Sequence, residues 1–255
     1  MTTKPQLILS ALALTGLWLS PGAPRAATLN WNCTSDNWAT TTCWSPNGTP
    51  TGADDVSIFT VGGADTGLTI DTTTGAAVAN TVTVDATAPT TVTVDQSGGS
   101  LAANYEIVGD SGTGAFTQTG GTHTVTNSLT LGNQSTGSGS YALSAGDLAA
   151  DYEYVGRNGT GAFTQTGGTN TVTDYLSLGG DWWGSTGTGS YDLSAGDLAA
   201  DSEFVGSAGT GAFTQSGGTN TVANYLVLGA WATAKGSFPP ARRELRRGSR
   251  EVRNA

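Results

Sequence analysis

Positive charge is scarce over most of this chain. Of the ten Lys and Arg among 255 residues, six are arginines between Arg242 and Arg253, and Lys4 and Arg25 lie near the N-terminus. The stretch from Ala27 to Pro240 holds only Arg157 and Lys235 against eighteen Asp and Glu, a balance near -16. A body of that sign repels phosphate backbones and anionic headgroups, which argues against nucleic-acid or anionic-membrane partners. Charge of either sign is thin: 12% of residues, against roughly 25% in an average domain. There is one Met, one His and two Cys, and nothing in the sequence calls for a cofactor. What is abundant is Gly, 38 residues, and Thr, which is commoner still. Thr favours strands and Gly marks the turns between them, so short strands joined by tight turns are expected rather than a helical enzyme.

Residues 1–27 read as a secretory signal. Lys4 is followed by an apolar run from Leu7 to Leu19, then Pro21, Gly22, Pro24 and the small pair Ala26-Ala27. Thirteen residues are too few to span a bilayer as a helix, whereas this order of charge, apolar run and small residues is that of an export signal. Pro24 and Arg25 leave the cleavage point open. No later run approaches spanning length, so the mature chain is expected to lack a transmembrane segment and to reach the cell surface or the medium. In that oxidising setting Cys33 and Cys43 are expected to form a disulfide, stabilising by roughly 2 to 3 kcal/mol. A two-thiol metal or redox site is disfavoured because the pair lacks Cys-x-x-Cys spacing.

The body repeats. Gly112-Thr113-Gly114-Ala115-Phe116 recurs as Gly137 to Tyr141, Gly159 to Phe163, Gly187 to Tyr191 and Gly209 to Phe213, then fades at Lys235 to Phe238. The intervals are 25, 22, 28, 22 and 25 residues. Phe units continue as in Thr164 to Thr169 and alternate with Tyr units that continue as in Leu143 to Asp151. The longest interval carries an insertion around Asp181-Trp182-Trp183, expected to bulge outward. A unit of this size, with glycines at its corners, suits one coil of a β-solenoid, in which stacked copies share one core. Val125, Leu129 and Leu131 share one parity, as do Val172, Leu176 and Leu178, and Val222, Leu226 and Leu228; Gly132, Gly179 and Gly229 follow as corners. A propeller blade would need about 40 to 45 residues, so the solenoid is preferred. Residues 28–100 lack the signature but hold Trp31, Trp38, Trp44 and strand-like runs at 81–85 and 91–95. They are read as an N-terminal cap and irregular coils, because an open solenoid end would recruit other chains. Residues 101–238 form the repeat region.

Residues 239–255 break the pattern and read as a disordered basic tail. Displacing the reading frame by one base lets Arg242-Arg243, Arg246-Arg247-Gly248 and Arg250 be read as Ala-Gly, Ala-Ala-Asp and Glu. These fall in register with Ala195-Gly196, Ala199-Ala200-Asp201 and Glu203, so a frameshifted or truncated repeat is one expectation, and an arm for an acidic partner the other.

Candidate chemistry is sparse. His123 is replaced by Asn170 and Asn220 in the later Phe units, which suggests a turn or surface position rather than a base. Glu106, Glu153 and Glu203 recur in the Tyr units, with Asp151 and Asp201 two residues before the latter two. Stacked two coils apart, the Glu carboxyls would lie about 9.6 Å from one another, close to the roughly 6.5 to 9.5 Å of inverting glycosidases. A ladder would give each the same setting, however, whereas catalysis needs two unequal carboxyls. Asp151, Glu153, Asp201 and Glu203 are also weak Ca²⁺ candidates, lacking the Gly-Gly-x-Gly-x-Asp nonapeptide. By parity Glu153 matches Leu176 and points inward unless the strand bulges to bring Tyr154 in instead. Thr122-x-Thr124, Thr169-x-Thr171 and Thr219-x-Thr221 resemble the Thr arrays of ice binders but recur only every second coil. Trp182 and Trp183 are candidates for glycan contact, with a local hydrophobic plug as the alternative.

The run Gly-Thr-Gly-Ala-Phe-Thr-Gln-Thr-Gly-Gly-Thr-Asn-Thr-Val, with Leu-x-Leu-Gly and Gly-Ser-Tyr-x-Leu-Ser-Ala-Gly, resembles the repeats of bacterial surface proteins: the autotransporter-associated β-strand repeat and PEP-CTERM-type families. The resemblance covers about residues 101 to 238. It implies a right-handed parallel β-helix exported to the cell surface or matrix, with adhesion or scaffolding as its role and surface proteins or glycans as partners. A C-terminal outer-membrane barrel and a Pro-Glu-Pro sorting segment, both family features, do not occur in this sequence. The expectation is therefore an all-β, non-enzymatic structural or adhesive solenoid. A β-helix polysaccharide lyase or hydrolase is the first alternative, and an ice- or calcium-binding solenoid the second.

Overall fold

The computed structural model describes residues 26–229, 235–237, 244–245 and 250–253; the proposed signal segment therefore lies outside the described residues, except for its last two. The regular structure described consists of strands throughout, apart from one short turn of 3₁₀ helix. In chain order these are β1 (Thr28–Trp31), β2 (Ser35–Asn37), β3 (Trp44–Ser45), β4 (Asp55–Ile58), β5 (Thr66–Ile70), β6 (Ala76–Val84), β7 (Val92–Gln96), β8 (Ser100–Val108), β9 (Thr113–Gln118) and β10 (Thr122–Leu131). There follow β11 (Ser138–Leu143), β12 (Asp147–Val155), β13 (Thr160–Leu178), β14 (Thr188–Val205), β15 (Thr210–Gln215), β16 (Thr219–Leu228), β17 (Lys235–Ser237), β18 (Glu244–Leu245) and β19 (Arg250–Arg253). One 3₁₀ turn, Thr41–Cys43, interrupts them. No helix among the described residues is long and apolar enough to cross a membrane.

The strands stack as a parallel β-solenoid of about nine turns. Two parallel ladders run its length. One joins the long limbs: β4, β6, β8, β10, β12, the second half of β13, the second half of β14 and β16. The other joins the short limbs: β5, β7, β9, β11, the first halves of β13 and β14, then β15. In the repeat region the register shifts inside the long limb, at Val125/Ser128 and Ala150/Tyr152, because a Phe coil has one residue more there than a Tyr coil. The chain turns at that point, so a coil consists of three short runs separated by corners.

Every coil contributes one residue to each column of the core. The parity read from the sequence holds: Val125, Leu129, Leu131, Val172, Leu176, Leu178, Val222 and Leu226 are buried. An aromatic column runs Phe116, Tyr141, Phe163, Tyr191, Phe213, with successive ring centroids 4.8, 5.0, 4.5 and 5.3 Å apart and planes within 11° of parallel. Direct stacking is not the preferred geometry for isolated rings. It is imposed by a backbone repeat of roughly 4.8 Å, which leaves identical inward positions no other spacing.

Two expectations are corrected. Residues 28–100 were expected to be cap and irregular coils, but parallel stacking runs through them: β1 pairs with β4 and β2 with β5, and from Asp55 on β4, β6 and β8 lead coil by coil to β10. Stacking needs alternation and corners rather than the repeat signature, and Val82, Val84, Val92 and Val94 satisfy it with no trace of Gly-Thr-Gly-Ala-Phe. The cap proper is the segment ahead of Asp55. There Trp31 and Trp38 pack edge-on against Trp44, each at 5.0 Å, the Trp44 indole donates to the Trp38 carbonyl at 2.8 Å, and Cys33 and Cys43 are disulfide-bonded as expected. The basic tail was expected to be disordered. Residues 244–245 and 250–253 instead extend the ladder on β16, with Glu244 opposite Thr221 and Glu251 opposite Leu226. The rest of 239–255 lies outside the described residues.

Glycine explains the signature. Gly139 belongs to a column of inward glycines, 114, 139, 161, 189, 211 and 236. A Cβ on Gly139 would fall on the Val108 carbonyl oxygen and lie 2.7 Å from the amide of the corner residue Gly132, whose φ of +68° is itself glycine's. Gly139→Ala is expected to destabilise by more than about 2 kcal/mol, whereas Gly62→Ala, in open space, is expected to cost about 1 kcal/mol, for its positive φ alone. Comparable denaturation midpoints for the two variants would show that corner packing does not limit the stack.

Candidate functional site

The interior is not wholly apolar. Glu106, Glu153 and Glu203 all point inward and are buried, which resolves the parity question in favour of the carboxyls. The register runs Val82, Glu106, Leu129, Glu153, Leu176, Glu203, Leu226, so each Glu is separated from the next by one Leu coil. Tyr154, its neighbour in sequence, is on the outer face.

Each buried carboxyl needs donors, and the next coil supplies one. His123 Nε2 lies 2.6 Å from Glu106 Oε2, with both side chains fully buried. The expectation that His123 is a turn or surface residue is therefore wrong: it sits inside β10, and the parity that places Val125 inside also places His123 there. Its Asn counterparts occupy the same column and do the same work. Asn170 Nδ2 donates to Glu153 Oε2 at 3.1 Å, and Asn220 Nδ2 donates to Glu203 Oε2 at 3.2 Å. Exchange with Asn thus marks a shared hydrogen-bonding duty rather than exposure.

The Tyr coils complete the arrangement. The Tyr141 hydroxyl lies 2.9 Å from His123 Nδ1 and donates to Gln118 Oε1 at 2.7 Å, while Gln118 Nε2 donates to the carbonyls of Gly121 and Asp147. One repeat later Asn170 donates to the Tyr191 hydroxyl at 3.2 Å, Tyr191 donates to Gln165 Oε1 at 2.5 Å, and Gln165 anchors on the carbonyls of Gly168 and Asp197. Burial, reinforced by the facing carboxyls, pushes both Tyr hydroxyls well above their usual range, so they remain donors. Where the next coil carries Phe the counterpart hydroxyl is missing: Phe116 stacks above the Gln96 coil, and Gln96 Oε1 makes no hydrogen bond among the described residues. The alternation of Phe and Tyr units is thus an alternation of buried hydroxyls.

The three carboxyls do not share one setting. Glu106 faces an imidazole, whereas Glu153 and Glu203 face amides. The chemistry available to them is limited by access, since Glu106 and His123 are sealed from solvent. Oxygen Oε1 of Glu106 and of Glu153 makes no hydrogen bond among the described residues. The Ca²⁺ candidates do not converge. Glu153 and Glu203 are interior, while Asp151 accepts from Thr173 at 2.6 Å and Asp201 accepts from Asn224 at 2.6 Å on the outer side of the corner. The close group of metal-type ligands found among the described residues is Cys33, Asp36 and Cys43, two of which are spent in the disulfide.

Outside, the third run of most coils carries aromatics that are far apart in sequence. One column reads Tyr105, Ser128, Tyr152, Tyr175, Ser202, Tyr225, and the next Ile107, Thr130, Tyr154, Ser177, Phe204, Val227. Tyr152 and Tyr175 pack edge-on at 4.9 Å, the Tyr154 and Tyr175 hydroxyls meet at 2.6 Å, and Tyr175 packs edge-on against Phe204 at 5.6 Å. The inserted loop joins this strip. Trp182 packs against Phe204 at 5.6 Å, and Trp183 beside it is 73% exposed. Asp181 is buried at the loop's base and accepts from the Trp183 and Ser185 amides, the Ser185 hydroxyl and Arg157. Burial alone would raise this carboxyl, but the Ser185 donors and the Arg157 guanidinium outweigh it and hold it below the usual range. Arg157 also lies 5.3 Å above the Tyr154 ring. The plug reading holds in part for Trp182, whereas Trp183 is free on its outer side.

Burial pushes the Glu153 carboxyl up from 4.5 to about 7, against the opposing effect of the Asn170 hydrogen bond. The folded state therefore holds this proton more tightly than the unfolded chain. Stability is fullest below the ordinary carboxyl range and falls by roughly 3 kcal/mol as pH rises from 4.5 to about 7. Glu153→Gln keeps the shape and cannot ionise. It is expected to flatten this slope and raise the denaturation midpoint at pH 8; an unchanged slope would assign the titration elsewhere. His123→Asn, which copies Asn170, is expected to cost less than about 1 kcal/mol, and His123→Leu, which strands Glu106, about 3 kcal/mol or more, read by the same midpoints.

Compared with family models, with curated proteins and with solved structures, the chain matches none, so the reading of its function rests on the solenoid and its two sets of side chains.

Proposed function

We propose that the chain is an exported structural rod with an adhesive role, which contacts glycans through the exposed aromatic side chains around Trp182 and Trp183. The observation that carries this reading is the separation of duties between the two faces of the same strands. Inward, the polar side chains contact one another across coils and are closed to solvent, which suits rigidity and supports a non-enzymatic role. Outward, rings that stacking alone does not require stand exposed on an ordered support. Export and membership of the surface-repeat families rest on the signal-like N-terminus and on the repeat motif, and they fit a rod whose stability comes from length and a cap disulfide.

The expected outcome is binding to at least one class of glycan on an array, with no release of reducing ends from any polysaccharide tested. Trp183→Ala should reduce array binding at least tenfold, with denaturation midpoints unchanged. Release of sugar ends would replace the adhesive reading with a β-helix hydrolase or lyase.

A further inference from the structure

The aromatic strip also carries information about which glycan it takes, and this inference rests on the glycan reading above. Its rings come from successive coils: Tyr152, Tyr175 and Phe204, half-buried and packed edge-on, with Trp182 tilted against Phe204 and Trp182 and Trp183 exposed at the loop. A cluster of rings that crosses several coils is suited to a chain of sugar rings, whose C–H faces stack on aromatic faces while hydroxyls reach the edges.

The charged groups beside the rings settle the sign. Asp174 is exposed and accepts a hydrogen bond from the Tyr152 hydroxyl, which raises that hydroxyl's pKa. Asp151 and Asp201 lie at the same corner, two coils apart, on a body with a net charge near -16. Arg157, the cation at the strip, is engaged by Asp181 and by the Tyr154 ring, and the next one along the column, Arg250, stands opposite Tyr225, two coils beyond the Phe204 coil. Over Tyr152, Tyr175 and Phe204 a uronate or sulfated polymer would meet carboxylates and one engaged cation, whereas a neutral polymer would find acceptors for its hydroxyls. The support is built in advance, since Asp181 ties down the loop through two backbone amides, a hydroxyl and Arg157, so little ordering remains to be done on binding.

We propose that the strip formed by Tyr152, Tyr175, Phe204, Trp182 and Trp183 binds an uncharged hexose polysaccharide and discriminates against anionic ones. The test is affinity electrophoresis of the full chain in gels containing hydroxyethylcellulose, glucomannan or polygalacturonate, with sedimentation velocity alongside. Retardation is expected in one or both neutral polymers and none in polygalacturonate. Trp183→Ala and Tyr175→Ala should each weaken neutral-polymer binding at least tenfold, and Phe59→Ala, at an exposed ring remote from the strip, should leave it unchanged. Retardation by polygalacturonate equal to that by the neutral polymers would overturn the inference while leaving glycan contact intact. Retardation that survives both strip substitutions would move the site elsewhere. No retardation in any of the gels, together with a blank array, would remove the glycan reading itself. Self-association of the chain that Trp183→Ala abolishes, without polymer binding, would make the strip a contact between copies of the rod.

Discussion

From β4 to β16 each strand of this molecule pairs in parallel with the equivalent strand of the neighbouring coils, and this pairing governs the rest. It fixes the spacing between equivalent side chains at the strand repeat, so residues are selected as columns rather than as points. Apolar columns make the core. The inward glycine column exists because corner backbones approach one another too closely for a Cβ. The aromatic column stacks face to face because the backbone leaves no room for a tilted arrangement. Stability in such an array is approximately a sum over coils and their interfaces, which is why a cap is needed where a neighbour is missing. The Trp31, Trp38 and Trp44 cluster and the Cys33–Cys43 bridge fill that position at the N-terminal end.

Within this frame the buried polar side chains form a repeating quartet. Glu from one coil, His or Asn and Gln from the next, and Tyr from the coil after that link three consecutive coils. A purely apolar interior would tolerate slippage by one coil, since one Leu column looks much like another. A quartet does not: sliding Tyr141 by one coil would leave Gln118 and His123 without their hydroxyl, at the cost of unsatisfied buried groups. Buried polar groups can specify register in this way while contributing little net stability, and the raised carboxyl of Glu153 is the cost of that specification.

Much of the architecture was legible because a solenoid writes its period into the sequence. The repeat interval, the inward parity of Val125, Leu129 and Leu131, and the corners at Gly132, Gly179 and Gly229 all follow from alternation and turn chemistry acting locally. The coils between Asp55 and Ser100 were hidden because stacking depends on pattern rather than on identity. Exchange of His123 with Asn suggests exposure, although its parity with Val125 points inward. A buried Glu at an inward position demands a donor, and the one polar inward residue in the next long limb is that His or Asn; this was the signal available. The aromatic strip was harder to see, because Tyr152, Tyr175 and Phe204 come from different coils at slightly different offsets and become neighbours only once the one-residue difference at the corner is known.

The alternation of Glu and Leu along one column has a consequence for how such a chain can grow or shrink over generations. Excising the single coil that bears Leu176 would bring Glu153 directly opposite Glu203, two enclosed acids one strand apart with a single amide between them. Removing two adjacent coils restores the original order. Lengthening and shortening of the array should therefore proceed by even numbers, making the heritable unit a doublet of about fifty residues although the mechanical unit is half that.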